Sequence, residues 1–186
     1  MGGLIGLVIA GQPGLPLPVP VRRLVLNDVG PEVSWSGIQR IQAYVGQTGA
    51  FDSVEAAADA MWLVSSSFGP HSREQWLALS RPMLRALPSG GLTLHYDPAL
   101  AVPVRAATQE STAQGSQMLW GLYDQIRACT LVLRGATSDL LTPEVAASMA
   151  SRGPRARVVT LAGVGHAPTL VADDQVATVA DFLFDT

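Results

Sequence analysis

The amino-acid sequence predicts an α/β fold: parallel strands, flanking helices and a helical section inserted between them. Three observations carry this. Two apolar runs, Leu131–Leu133 and Val158–Leu161, read as short buried strands rich in Val and Leu. A helix fits between them, and a strand–helix–strand unit implies a right-handed crossover joining two parallel neighbours. The stretch from Glu32 to Gln117 carries helical periodicity with no parallel-strand pattern.

Along the chain, Leu4, Ile5, Leu7, Val8 and Ile9 are too densely apolar for an exposed helix. They read as a short buried helix in which Gly2, Gly3 and Gly6 allow close approach to other backbone. The proline-rich run from Pro13 to Pro20 forbids regular structure. Val21–Leu26 is a strand, ending in the turn-rich loop Asn27-Asp28-Val29-Gly30-Pro31. In the helical section, Trp35, Ile38, Ile41 and Val45 fall at helical spacing. Asp52 opens the next helix, with Glu55 three residues on as in a capping box and an apolar stripe of Val54, Ala57, Met61, Val64 and Phe68. Ser72 and Gln75 repeat the signature ahead of Trp76, Leu79, Met83 and Leu87, with Pro82 set to kink or break that helix. Gly90-Gly91 ends this stretch, and Leu92–Tyr96 fits a short extended piece. A helix over Met118–Ala128 returns the chain to the strand at Leu131.

The helix between the two strands has local signals at both ends. Thr142 can cap it, Pro143 suits its first position and Glu144 complements its positive end. Arg152-Gly153-Pro154 stops it. A final helix runs from about Asp173 to Phe184, with Asp173 and Asp174 favoured in its first turn by the helix dipole.

Composition bounds the chemistry. The chain has 186 residues, 48% hydrophobic and 15% charged, which suits one domain, or one domain with an insertion, around a large core. A net charge of −3 argues against nucleic-acid partners and anionic membrane surfaces. The single Cys129 excludes an internal disulfide and a thiolate metal cluster, and its place at the head of a buried strand reads as a small core residue. No segment approaches membrane-spanning length. The apolar start MGGLIGLVIAG lacks a basic n-region, so it makes a poor signal peptide, and the cytoplasm is the expected compartment. No metal site or cofactor is implied: the H-x-x-x-H spacing is missing, and Gly163 and Gly165 are too few for a phosphate-binding loop. His71 beside a cap and His95 beside Tyr96-Asp97-Pro98 read as structural.

The residues that carry chemistry sit after the two strands. Parallel strands put their following loops on one edge of the sheet, where open α/β sheets hold ligands. Asp139 follows the first strand and His166 the second. An acid and a histidine one unit apart on one edge fit the last two members of a nucleophile–acid–histidine triad, with His166 as general base and Asp139 holding its tautomer.

The order of elements resembles the C-terminal two-thirds of an α/β-hydrolase-fold enzyme, over essentially the whole chain. Met1-Gly2-Gly3 resembles the tail of a G-x-S-M-G-G nucleophile elbow, and LVLNDVGPEV the strand just after it. LVLRGATSDLLTPEVA resembles the acid strand and loop, and GVGHAPTL the histidine loop. The resemblance implies a core of residues 1–31 and 118–186 and a helical cap of residues 32–117. It also implies that Met1 stands where a backbone N–H helps form the oxyanion hole, and that Asp28 is an alternative acid, since some relatives draw the acid from that strand. The nucleophile serine would stand just before Met1, so the chain reads as a fragment whose strand Val21–Leu26 presents an open edge. The implied parent is a serine hydrolase acting on a small, largely apolar ester, lactone or carbon–carbon substrate, without cofactor. The alternative is a non-catalytic binding or interaction module of the same fold, whose open edge pairs with a partner chain.

Overall fold

The structure, a computed structural model, describes residues 1–184. The elements along the chain are α1 (Gly2–Gly11), β1 (Arg23–Asn27), α2 (Trp35–Tyr44), α3 (Val54–Ser65), α4 (Arg73–Ser80), β2 (Leu84–Ala86), β3 (Leu92–Leu94), α5 (Ala101–Ala106), α6 (Gln109–Tyr123), β4 (Cys129–Gly135), α7 (Pro143–Ser151), β5 (Arg157–Leu161) and α8 (Asp173–Phe184). Strands β1, β4 and β5 form a parallel sheet in the order β1-β4-β5, while β2 and β3 make a separate antiparallel hairpin.

The middle strand organises the core. From Thr130 to Gly135 every residue of β4 is buried. Its side chains alternate between two apolar layers, as the two-residue period of a strand requires. Val132 faces Leu7, Leu26, Tyr123, Leu141 and Met149, the layer that α1, α6 and α7 complete. Leu131 and Leu133 face Leu161, Val164 and Phe182, the layer under α8. Burying each such side chain stabilises the fold by about 1.5–3 kcal/mol. The Tyr123 hydroxyl donates to the Met149 carbonyl at 2.7 Å, so the one polar tip in the first layer is satisfied. Burial pushes the Tyr123 phenol up to about 12.

The helix between β4 and β5 forms as its sequence signals require. The Thr142 hydroxyl accepts from Val145 N–H, Pro143 occupies the first turn and the helix stops at Arg152, ahead of Gly153 at φ +55°. In α4 the reciprocal Ser72–Gln75 capping box is complete, and Pro82 ends the helix by placing a 3₁₀ turn over Arg81–Met83.

Several expectations need correction. The first helix is not enclosed: Leu7 is buried, but Ile5 is 53% exposed, and Val8 and Ile9 are also exposed. One face of α1 packs on β1 and α6, and since β1 is the edge strand nothing among the described residues covers the other face. Cys129 is exposed, because it precedes the buried part of β4. Ser53, not Asp52, caps α3, its hydroxyl accepting from Ala56 N–H at 3.1 Å. Residues past Met83 do not continue the helix. Leu84–Ala86 pairs with Leu92–Leu94 instead, turned by Gly90 and Gly91 at φ +91° and +79°. Helix α6 starts nine residues before Met118, capped by Thr108, so residues 117 and 118 lie within one continuous helix.

Candidate functional site

The C-terminal ends of β1, β4 and β5 meet at one sheet edge, and His166 lies there, five residues past the end of β5. Its loop is fixed from several sides. Val164 C=O accepts from Thr137 N–H at 3.0 Å, and Gly165 N–H donates to Ser67 C=O at 2.6 Å. The Asn27 amide donates to Pro168 C=O at 2.8 Å. His71 accepts no catalytic position: its ring nitrogens engage Gly69 C=O at 2.8 Å and the Thr169 hydroxyl at 2.7 Å, which ties residues 69–71 to the far end of the histidine loop. The Phe68 ring stands edge-on to the His166 imidazole, centroids 6.4 Å apart.

The acid in contact with this histidine is Asp28. Its Oδ2 lies 2.8 Å from His166 Nδ1. Three features fix the carboxylate there. The register Asn27↔Leu133 puts the next residue level with Arg134 and Gly135, and Asp28 N–H donates to Leu133 C=O at 2.8 Å. Asp28 adopts φ +54°, a left-handed conformation that Asp tolerates better than most residues and that turns the chain away from the strand direction. The carboxylate then accepts from Gly135 N–H at 2.8 Å and from the Ser138 hydroxyl at 2.5 Å. Asp28 is fully buried, and three donors compensate the loss of water around its charge. An Nδ1–H donated to that carboxylate leaves Nε2 as the basic nitrogen of the neutral imidazole, the tautomer a general base needs.

Asp139 does not make the contact expected of it. It lies four residues past Gly135, beyond the turn, where helix α2 passes. Arg40 of that helix holds its carboxylate through two parallel bonds, Nε to Oδ2 at 2.5 Å and Nη2 to Oδ1 at 2.9 Å. The Ser34 hydroxyl, which also caps α2, bonds to the Asp139 carbonyl. The Arg40 guanidinium holds the Asp139 carboxyl below its ordinary value. A carboxylate depressed on folding stabilises the native state above its ordinary value of 3.8 and loses that contribution as pH falls through the lower folded value. Acidification below about pH 4 is therefore expected to loosen the tie between α2 and the β4 loop. The loss in stability is small, because the Asp139 side chain is 42% exposed. Fluorescence of Trp35, beside Ser34, followed through an acid titration checks it.

Met1 occupies the position just before α1, and the first turn of that helix lies close to the same edge: a side chain on Gly3 would run into Val29, the residue after Asp28. His95 lines a cavity of about 660 Å³ inside the helical section, shared with Tyr44, Phe51, Met61, Leu94 and Tyr96. Among the described residues no group of three or more His, Cys, Asp or Glu is placed to hold a metal ion, and no helix is long and apolar enough to cross a membrane.

Sequence reasoning missed Arg40, Ser138 and Asn27. Arg40 sits on the polar side of an amphipathic helix, where an arginine carries no local signal. Ser138 had one, a hydroxyl in the loop just past a buried strand, at the edge where the acid and histidine meet.

The sequence profile of the alpha/beta hydrolase family matches residues 1–181. The chain is 44% identical over 185 residues to a 3-hydroxybutyrate-oligomer hydrolase of Cupriavidus necator, covering 98% of this chain and 62% of that protein. A crystal structure of an alpha/beta hydrolase from Novosphingobium aromaticivorans superposes with a TM-score of 0.80 at 36% identity, over 97% of this chain and 61% of the other. An esterase of Mycobacterium tuberculosis shares the fold at 21% identity and a TM-score of 0.68, over 99% of this chain and 60% of that one. The chain thus spans about three-fifths of the relatives it matches. Its parallel sheet, the loops gathered at one end of it, and the match along nearly all of its length place this chain in the α/β-hydrolase family.

Proposed function

We propose that the chain is the C-terminal part of a serine-type hydrolase that cleaves hydroxyacid esters of the 3-hydroxybutyrate type, with Asp28 and His166 as the acid and base of its triad. The observation that carries this reading is the 2.8 Å contact between the buried Asp28 carboxylate and His166 Nδ1. In this reading a serine supplied by residues upstream attacks the ester carbonyl. His166 Nε2 takes the hydroxyl proton as the bond to carbon forms, and returns it to the leaving alkoxide as the ester bond breaks. Asp28 holds the ring and stabilises the imidazolium. Met1 N–H contributes to the oxyanion hole, and residues 32–117 act as the cap over the site. Asp139 takes no proton-handling role, because its lone pairs are occupied by Arg40.

The exposed apolar face of α1 and the edge strand β1 support an upstream segment carrying the remaining strands. The name of the Cupriavidus relative supports the ester class. The test compares the 186-residue chain with a protein extended upstream through the elbow, on the 3-hydroxybutyrate dimer. The extended protein is expected to hydrolyse the dimer and the short chain is not. Turnover by the short chain, or an upstream frame without a Gly-x-Ser, overturns the reading.

A further inference from the structure

The Arg40–Asp139 pair has an arrangement that the triad does not use. Arg40 projects from α2 of the cap to the loop after β4, so one ion pair spans the two parts of the chain at the catalytic edge. Asp139 adjoins Ser138, whose hydroxyl donates to Asp28. Arg40 is therefore one residue removed from the hydrogen bonds that hold the triad. On its other side its Nη1 lies 3.4 Å from the Tyr44 hydroxyl, and Tyr44 lines the 660 Å³ apolar cavity of the cap. The guanidinium stands between the catalytic edge and an apolar space, and its side chain is 33% exposed.

We propose that Arg40 is the receptor for a carboxylate on the substrate, exchanging Asp139 for the free terminal carboxylate of a hydroxyacid ester. This rests on the ester reading above and adds the part of the substrate that the triad does not touch. A planar guanidinium already engaged by both oxygens of a carboxylate has the geometry a second carboxylate needs. The exchange replaces one carboxylate by another, so little charge solvation changes hands. The pair to be broken is part-exposed, so water screens it and solvates both partners as they separate. Released Asp139 remains at a solvent-accessible position beside the incoming anion, which makes it a competitor that sets how tightly the substrate is held. The hydrocarbon part of the ester then lies against the cavity wall at Tyr44.

The test reads binding, so it does not depend on turnover. The 3-hydroxybutyrate dimer as free acid and as methyl ester is titrated into the 186-residue chain and followed by NMR. The free acid is expected to bind a few-fold more tightly to the unsubstituted chain, where it must displace Asp139, and about tenfold or more tightly to Asp139→Asn, the scale of a charge-assisted bidentate pair. That preference narrows as ionic strength rises, a measurement that needs no variant. Arg40→Gln erases the preference, whereas Asp139→Asn widens it by removing the competing carboxylate. A simple latch between cap and core predicts that both substitutions shift binding in the same direction, since each breaks the same pair. Equal binding of acid and methyl ester by the unsubstituted chain, or parallel shifts in the two variants, overturns the proposal. An extended protein that hydrolyses neither compound defeats the ester reading but leaves this binding result standing by itself.

Discussion

Asp28→Asn is expected to lower kcat by about 10⁴-fold in the upstream-extended protein of the proposed reading, the size of effect found when a triad acid becomes its amide. The reason lies in what surrounds that side chain. Its Oδ1 accepts from Gly135 N–H, and its Oδ2 accepts from both the Ser138 hydroxyl and His166 Nδ1. Every neighbour is a donor. An amide must turn its NH₂ either toward the Gly135 N–H or toward the pair formed by Ser138 and His166. In the first case two donors face each other in a buried site. In the second, His166 Nδ1 must become the acceptor, which protonates Nε2 and removes the base. Both outcomes lose function, and the buried position denies water as a substitute partner. Asp139→Asn is expected to cost far less in kcat, since that carboxylate serves Arg40. Steady-state kinetics of the two variants on the same ester decide the assignment. A larger loss with Asp139→Asn than with Asp28→Asn would return the acid role to Asp139.

The same comparison shows what the sequence could and could not carry. The strands around Leu131–Leu133 and Val158–Leu161 were legible because a buried parallel strand is a short apolar run and needs no partner to be recognised. The helix from Pro143 to Ser151 was legible because its cap, its proline and its stop are local features. His166 was placed at the edge by the same logic. Choosing between the acids was different in kind. Chain order favours Asp139, one unit ahead of the histidine. Spatial order puts β1 beside β4, and the left-handed turn at Asp28 then decides which carboxylate lies level with Gly135. Neither the strand order nor that turn is written in any single segment. Asn-Asp before Val-Gly-Pro is explained as a turn whether or not its acid points at a histidine. The β2–β3 hairpin was legible only in its second strand, as the extended piece at Leu92–Tyr96. The first strand, Leu84–Ala86, is three residues long, too short an alternation to stand out, and it follows directly on the apolar stripe assigned to the preceding helix.

Gly135→Ala is expected to destabilise the chain by about 3 kcal/mol and to break the contact between Asp28 and His166, although the substitution adds one methyl group. Gly135 ends β4 and its N–H holds Asp28. A Cβ there would sit 2.6 Å from the Val164 carbonyl oxygen, and closer still to that of Gly165. Both are backbone atoms, so no rotamer change can make room. The loop cannot retreat freely either, because Val164 C=O receives Thr137 N–H and Gly165 N–H is bonded to Ser67. Whatever yields moves His166, the next residue. Gly121→Ala is the opposite case. Gly121 is an exposed position in α6 with nothing within 4 Å of an added Cβ. There the gain in helix propensity and the loss of unfolded-state freedom are expected to stabilise by about 0.5–1 kcal/mol. Urea unfolding of both variants measures the signs, and the imidazole resonances of His166 report whether the Asp28 contact survives. A Gly135→Ala protein as stable as the parent, with an unshifted His166 signal, would mean the histidine loop is loose enough to absorb a methyl group. The Asp28–His166 contact would then be held by Asp28 alone, not by the packing of the strand end against the loop.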